Sequence, residues 1–363
     1  MVTYVLYQLP TMKQLLLSVL GLFCTLAARS QSCACAADLR FARQAYEQNY
    51  AGFADALARR GAANYQQFAD SLQQATQPIV DLVGCDKMLR RYVRYFGDGH
   101  AYLSHTDTYR SLAGLSKRPV RNMRPSLEVL DEQAVLLTIP SADSSWQKPL
   151  DSLLTANKAL LARPPDLLVD ARGNGGGNSR VFLTLLALLH TQQVVLDGIE
   201  IRSSPHNLAM YRGLLTRPGV PADVRKQLRS IIAQMQASPT GSVLAQPGRT
   251  YTLGKHRVQP NPQRVSIRND HRCASATEEF LLAASQSKKV TLFGQPTAGV
   301  LDYADVYMEP LPSGLFTVSV ATSRSLRLPD HPFDPNGIKP NIAVPSWQFD
   351  WVHFVRRYWH EKG

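Results

Sequence analysis

Apolar and polar positions change rhythm along this chain, and the change divides it. From Asp38 to about Tyr95 the period is helical: Phe68, Leu72, Ala75, Ile79 and Leu82 recur at alternating steps of four and three. That spacing sets them on one face of a helix, which Pro78 would kink. The period breaks at the Gly-rich turn "YFGDGHAYL". Near Ser126 the texture becomes mixed. "LEVLDEQAVLLTIP" predicts two strands around a turn, "PLDSLLTANKALLARPP" an amphipathic helix, and "DLLVDA" a short buried parallel strand bounded by Pro165 and Gly173. Helix resumes in "NSRVFLTLLALLHT", followed later by strand "RVSIRND", helix "SATEEFLLAASQS" and strand "KVTLFG". Alternation of this kind predicts an α/β core. Within it, "GVPADVRKQLRSIIAQMQASPTG" reads as a polar helical insertion that covers a site or forms a lid. The expected organisation is a small helical domain over residues 32–125, an α/β core over 126–345 with the insertion at about 205–247, and a C-terminal tail over 346–363. A chain of 363 residues is long enough for a substantial core and two domains.

The N-terminus changes this picture. Lys13 precedes "QLLLSVLGLFCTLAA", an apolar stretch the length of a signal-peptide core and short for a membrane span, followed by small residues suited to cleavage near Ala28. Residues 1–31 are therefore read as an export signal, with translation possible from Met12 and an uncleaved anchor as the alternative. Export places the protein in a periplasmic or extracellular compartment, with no integral membrane span once the leader is gone. Cys33, Cys35, Cys85 and Cys273 remain after the leader leaves. Cys33 and Cys35 are too closely spaced to pair with each other, so a disulfide from one of them to Cys85 is expected. No Cys/His cluster has zinc spacing, and no metal or cofactor is expected. The net charge of +12 is scattered in short clusters such as "LRRYVR" and "SKKV", without a nucleic-acid-binding signature.

Three stretches lie where strands meet helices or loops, the place where open α/β sheets bind ligands. In "DARGNGGGNSR" consecutive glycines let backbone amides approach a substrate as an anion cradle or oxyanion hole would require, although a glycine run is also an ordinary tight turn. No Lys-Ser/Thr follows, which excludes a Walker phosphate loop. His100 in "GDGHAYL" is by itself a turn histidine, with His105 close by. Ser275 in "RCASATEEFLL" stands three places before Glu278, which is a capping box, and it is also a candidate nucleophile at a helix N-terminus. Cys273 is the rival nucleophile.

In this order, "GDGHAYL", "DARGNGGG", "ASATE", "GQPTAG" and "NGIKP" resemble the tail-specific, or C-terminal processing, family of serine peptidases, from about Tyr50 to Pro345. The resemblance implies an α/β (α+β) fold with a crotonase/ClpP-like ββα spiral core behind a small helical N-terminal domain. It makes Ser275 the nucleophile, with Glu278 and Thr297 in supporting places. Many members carry a lysine base in the turn that here reads "GQPTAGV", where Val300 stands instead. The tricorn-like branch uses the histidine of the Asp-Gly-His turn and an acidic residue before the Gly-Ile-x-Pro loop. Those places hold His100 and Asp334, the latter where glutamate is more usual. A serine hydroxyl needs a base to take its proton, and an imidazole of pKa about 6.5 is suited to that at neutral pH. The oxyanion donors implied are the amides of Ala276 and of Gly175 or Gly176. Only 26 residues separate His100 from Leu127, too few for the PDZ domain many members insert there. The expected function is an exported serine peptidase acting on peptides or unfolded protein through an acyl-enzyme, with no nucleic-acid partner. The alternatives are a non-catalytic peptide-binding or scaffolding protein of the same fold, and hydrolysis of a non-peptide ester by the same residues.

Overall fold

The computed structural model describes residues 33–116, 123–251 and 258–362, so the expected leader lies outside the described residues. The chain enters through four helices, Cys35–Asn49, Phe53–Arg60, Ala62–Ala75 and Leu82–Arg94. The single kinked helix expected through Pro78 is two helices. The first stops at Ala75, and the second starts after Asp81, whose carboxylate accepts the Gly84 amide at 2.7 Å. A residue preceding proline avoids the helical region, and an aspartate cap restarts the helix beyond it. The buried rings of Tyr46, Tyr50, Tyr92 and Phe96 form the centre of this region, with Tyr46 and Phe96 stacked at 4.5 Å between centroids. Tyr303, Phe316, Val318 and Val320 continue the same core, so these helices are packed against a sheet.

The strands, in chain order, are β1 Leu103–His105, β2 Ser126–Val129, β3 Ala134–Thr138, β4 Asp166–Asp170, β5 Val194–Leu196, β6 Ile199–Arg202, β7 Val243–Gln246, β8 Arg249–Tyr251, β9 Arg264–Asn269, β10 Val290–Gly294, β11 Tyr303–Pro310, β12 Phe316–Ser325 and β13 Ile342–Ala343. One sheet has the order β13-β10-β9-β4-β3-β2, parallel except for β2. The other is antiparallel in the order β1-β12-β6-β7, with β11 also on β12. β5 and β8 make a separate pair.

Leu167, Leu168 and Val169 of β4 are all buried, as expected of a parallel strand covered on both faces. Helices Gln147–Ala156, Leu183–Leu189 and Ala276–Ser285 pack into one core with it, where Phe182 and Phe280 stack at 4.3 Å. Helix Trp351–Lys362 packs its buried Trp351 and Val355 with Leu168 and Phe293. The insertion contains helices Pro205–Leu215 and Ala222–Ala237, which share a small core with Ile201 of β6. It is tied down by Ser204 Oγ donating to Asn49 Oδ1 at 2.7 Å and by Arg180 pairing with Asp223 at 2.9 Å. Among the described residues no helix is long and apolar enough to cross a membrane.

Candidate active site

The turns leaving β4 and β9 at their C-terminal ends build the site, the position at which parallel sheets present ligand-binding loops. After β4, buried Asn174 fixes the Gly-rich turn. Its Nδ2 donates to Ile139 O at 3.0 Å, its Oδ1 accepts the Gly176 amide at 3.1 Å, and its carbonyl accepts Ala274 N at 3.2 Å. The turn thereby lies directly beside the segment carrying Ser275. Gly176 has φ +94°, and a Cβ there would lie 2.6 Å from Ala274 O, 2.9 Å from Ser275 Cβ and 3.0 Å from Ala276 N. No other residue fits at that approach. Gly175 faces open space.

Ser275 occupies φ 55°, ψ −123° at the start of helix Ala276–Ser285. It is one of two non-glycine residues with positive φ among those described. Backbone strain of this kind persists where surrounding contacts hold it, and it projects a side chain from a sharp strand-to-helix turn. Those contacts are visible. Ser275 N donates both to Val300 O at 3.1 Å and to Glu278 Oε2 at 2.8 Å, the second being the carboxylate arm of the capping box. Glu278 is fully buried and also accepts from Val300 N at 2.9 Å, Gly299 N at 2.8 Å and Thr297 Oγ1 at 2.5 Å. Thr297 Oγ1 in turn accepts Ile338 N at 2.7 Å. One carboxylate therefore joins the nucleophile's turn, the "GQPTAG" turn and, through Thr297, the "NGIKP" loop. The amide of Ala276, in the first turn of the helix, has no carbonyl of that helix to reach and points out of its N-terminus.

His100 comes from 175 positions away and places Nε2 3.1 Å from Ser275 Oγ. Its turn is anchored by Asp98, whose Oδ1 accepts the His100 amide at 2.7 Å while Oδ2 accepts the Tyr50 hydroxyl at 3.0 Å. Ser319 of β12 donates to the His100 carbonyl. Burial holds the His100 ring below the ordinary imidazole pKa, opposed by the backbone of Tyr303. The ring therefore stays neutral near pH 7, the form that can accept a proton.

Asp334 sits in a dense acidic corner. Its Oδ1 accepts Leu301 N at 2.7 Å and Asp302 N at 3.2 Å, and its own amide donates to Asp302 Oδ2 at 3.0 Å. Burial, with repulsion from Asp302 and Asp98, pushes its carboxyl up to about 8 despite the Leu301 amide. Burial likewise pushes Asp98 up to about 7. The structure makes no hydrogen bond between Asp334 and His100. Instead His100 Nδ1 and Asp334 Oδ2 are both buried and both lack a partner. Val300, at the place of the lysine base, packs on the His100 turn: a Cβ at Gly99 would lie 2.4 Å from its Cγ2. Cys273 is buried, donates to Ala171 O at 3.1 Å and is pushed up to about 12 by burial, which leaves it a poor nucleophile. The sequence marks Asp98 only as part of its turn, and no local pattern points to Tyr50, Ser319 or Asp302.

A strained serine at a helix start, a histidine on its hydroxyl and a glycine turn beside it are an arrangement that can activate a hydroxyl for attack on a carbonyl. The family comparison makes the class specific. The Peptidase family S41 model matches residues 134–344, and the chain belongs to that family, whose members are serine peptidases acting on peptides. Solved structures share the fold at low identity. A lipoprotein from Streptococcus agalactiae is 15% identical over 90% of this chain and 97% of its own, with a TM-score of 0.51. Mature CPAF is 12% identical over 86% of this chain and 92% of its own, with a TM-score of 0.60. No curated protein matches the sequence.

Proposed function

We propose that this protein is an exported serine peptidase that cleaves peptides or unfolded protein through an acyl-enzyme, with Ser275 as nucleophile and His100 as general base. The observation that carries the reading is the 3.1 Å approach of His100 Nε2 to Ser275 Oγ. As Oγ attacks the scissile carbonyl, His100 takes its proton and then passes it to the leaving amine. The amide of Ala276, with that of Gly175 or Gly176, receives the oxyanion, where one donor is worth about 2.7–4 kcal/mol. Water then attacks the ester carbonyl, His100 takes the water's proton, and the acid product leaves as the Ser275 hydroxyl is restored.

Asp334 is the candidate to orient His100, supported by its buried Oδ2 and the buried His100 Nδ1 both lacking a hydrogen-bond partner. Export rests on the apolar segment before Ala28 and places the enzyme in the periplasm or outside the cell. N-terminal sequencing of the mature chain tests export. A fluorophosphonate probe tests the nucleophile: wild type is labelled and Ser275→Ala is not. An unlabelled wild type, or a labelled and active Ser275→Ala, overturns the assignment.

A further inference from the structure

Three cysteines meet where the first of the described helices begins. Cys33 Sγ, Cys35 Sγ and Cys85 Sγ all lie within 4.8 Å of one another, and all three residues are buried. They are free thiols in the structure. The cysteine count predicts a disulfide from Cys33 or Cys35 to Cys85, 50 residues after Cys35; the structure brings those residues together but as three free thiols. The backbone holds the triangle from both sides. Cys33 N donates to Val80 O at 3.1 Å, Cys35 begins helix Cys35–Asn49, and Cys85 lies in the first turns of helix Leu82–Arg94. Two helix N-termini thus come to the same three sulfurs, and a helix N-terminus favours a thiolate.

We propose that Cys33, Cys35 and Cys85 form a three-thiolate site for one soft d10 cation, Zn²⁺ or Cu(I). A metal–sulfur bond of about 2.3 Å in a planar three-coordinate site sets sulfurs about 4.0 Å apart, within the limit the triangle already meets. Thiolate ligands select these ions over hard cations. The neighbouring acids and histidine are engaged elsewhere: Asp38 accepts from Ser313, Asp81 caps its helix, and Asp86 holds both Arg90 and His105. The site is therefore three-coordinate in protein ligands. A disulfide uses only two of these sulfurs and leaves the third thiol stranded beside it, whereas a metal uses all three. On binding, each thiol that ligates loses its proton to solvent, and the sulfurs are neither oxidised nor reduced. The ion would clamp the entering chain onto helix Leu82–Arg94, which runs into the turn bearing His100.

The test uses the full chain, reduced and oxygen-free, titrated with Zn²⁺ in one arm and Cu(I) in the other. Metal content after desalting is expected at one ion per chain for at least one of the two, unchanged in Cys273→Ser and lost in Cys35→Ser and Cys85→Ser. Should the variants fail to fold, wild type alone decides: a thiolate-to-Cu(I) ultraviolet band, or proton release on adding Zn²⁺, must saturate at one equivalent. Sub-stoichiometric binding in both arms overturns the proposal, and so does binding retained in Cys85→Ser. Peptide mapping of protein isolated without reductant that finds Cys85 disulfide-bonded to Cys33 or Cys35 overturns it as well.

Discussion

Val300 fills the space that a side chain on Gly99 would need: a Cβ at 99 would lie 2.4 Å from Val300 Cγ2 and 3.1 Å from Cγ1. The residue standing where the family resemblance implies a lysine base thus packs on the turn that supplies the histidine. Because Ser275 N also donates to Val300 O, this valine contacts both halves of the proposed dyad.

Gly99→Ala should therefore displace the His100 turn. Overpacking of this kind costs about 1–3 kcal/mol. Denaturant unfolding should show that loss, and turnover should fall with it, because the Nε2–Oγ distance depends on the turn. Adding Val300→Ala opens the contested space, so a double-mutant cycle should recover part of both losses. Additive losses across the cycle would show that the two residues do not meet.

Glu278→Gln tests the carboxylate that gathers four donors. Its Oε2 accepts from both Ser275 N and Val300 N, and its Oε1 from Thr297 Oγ1 and Gly299 N. An amide NH₂ in place of either oxygen would face N–H or O–H donors. Each group stranded in this way costs about 1–3 kcal/mol, so the variant should lose several degrees in Tm. Peptidase activity should fall further than stability alone accounts for, since the strained Ser275 backbone depends on these bonds. A variant that melts with the wild type and retains its turnover would refute this role.

The parts of the site that sequence made legible are those with a local backbone demand. A glycine run leaving an apolar strand, a Ser-x-x-Glu helix start and an Asp-Gly-His turn each leave a mark within a few residues, and the structure brings Gly176, Ser275 and His100 together. Contacts made across long separations leave none: nothing near Tyr50 or Ser319 announces that they brace the histidine turn. The helix read through Pro78 failed for a different reason. Its apolar period continues across the break, while Pro78 and the Asp81 cap decide where the backbone stops and restarts. Residues 346–363 include a helix whose Trp351 and Val355, four apart, are buried, a helical spacing that a short terminal segment makes easy to overlook.

Lys288→Ala and Lys289→Ala should leave activity unchanged. Helix Ala276–Ser285 ends before them, and its 10 residues at about 1.5 Å each already carry the chain about 15 Å from Ser275. Lys289 Nζ is turned to Gln259 O instead. Loss of turnover in either variant, with its fold intact, would reinstate a lysine base and remove His100 from that role. His100→Ala should abolish turnover in the same assay.

The pH profile separates the histidine from its acidic partner. Burial keeps His100 below the ordinary imidazole value of about 6.5, so activity should begin to rise with pH below that point. Asp334 is pushed up to about 8, and only its ionised form stabilises an imidazolium, so a second rise is expected there. Asp334→Asn should erase the upper rise, keep the lower one and reduce the maximal rate. Stability runs the other way for this group. Between about pH 4, where an unfolded aspartate ionises, and pH 8, the native state holds a proton that the unfolded chain has lost. Asp334 thus favours the folded state least above pH 8, where both states are ionised and the burial penalty is fully expressed, and its contribution to stability falls as pH rises through that window. Asp98, pushed up to about 7, adds a contribution of the same sign over a narrower range. Thermal melts from pH 4 to 9 should accordingly show Asp334→Asn gaining on wild type as pH rises. Parallel Tm profiles together with an unaltered activity profile would show that Asp334 ionises normally and does not act on His100.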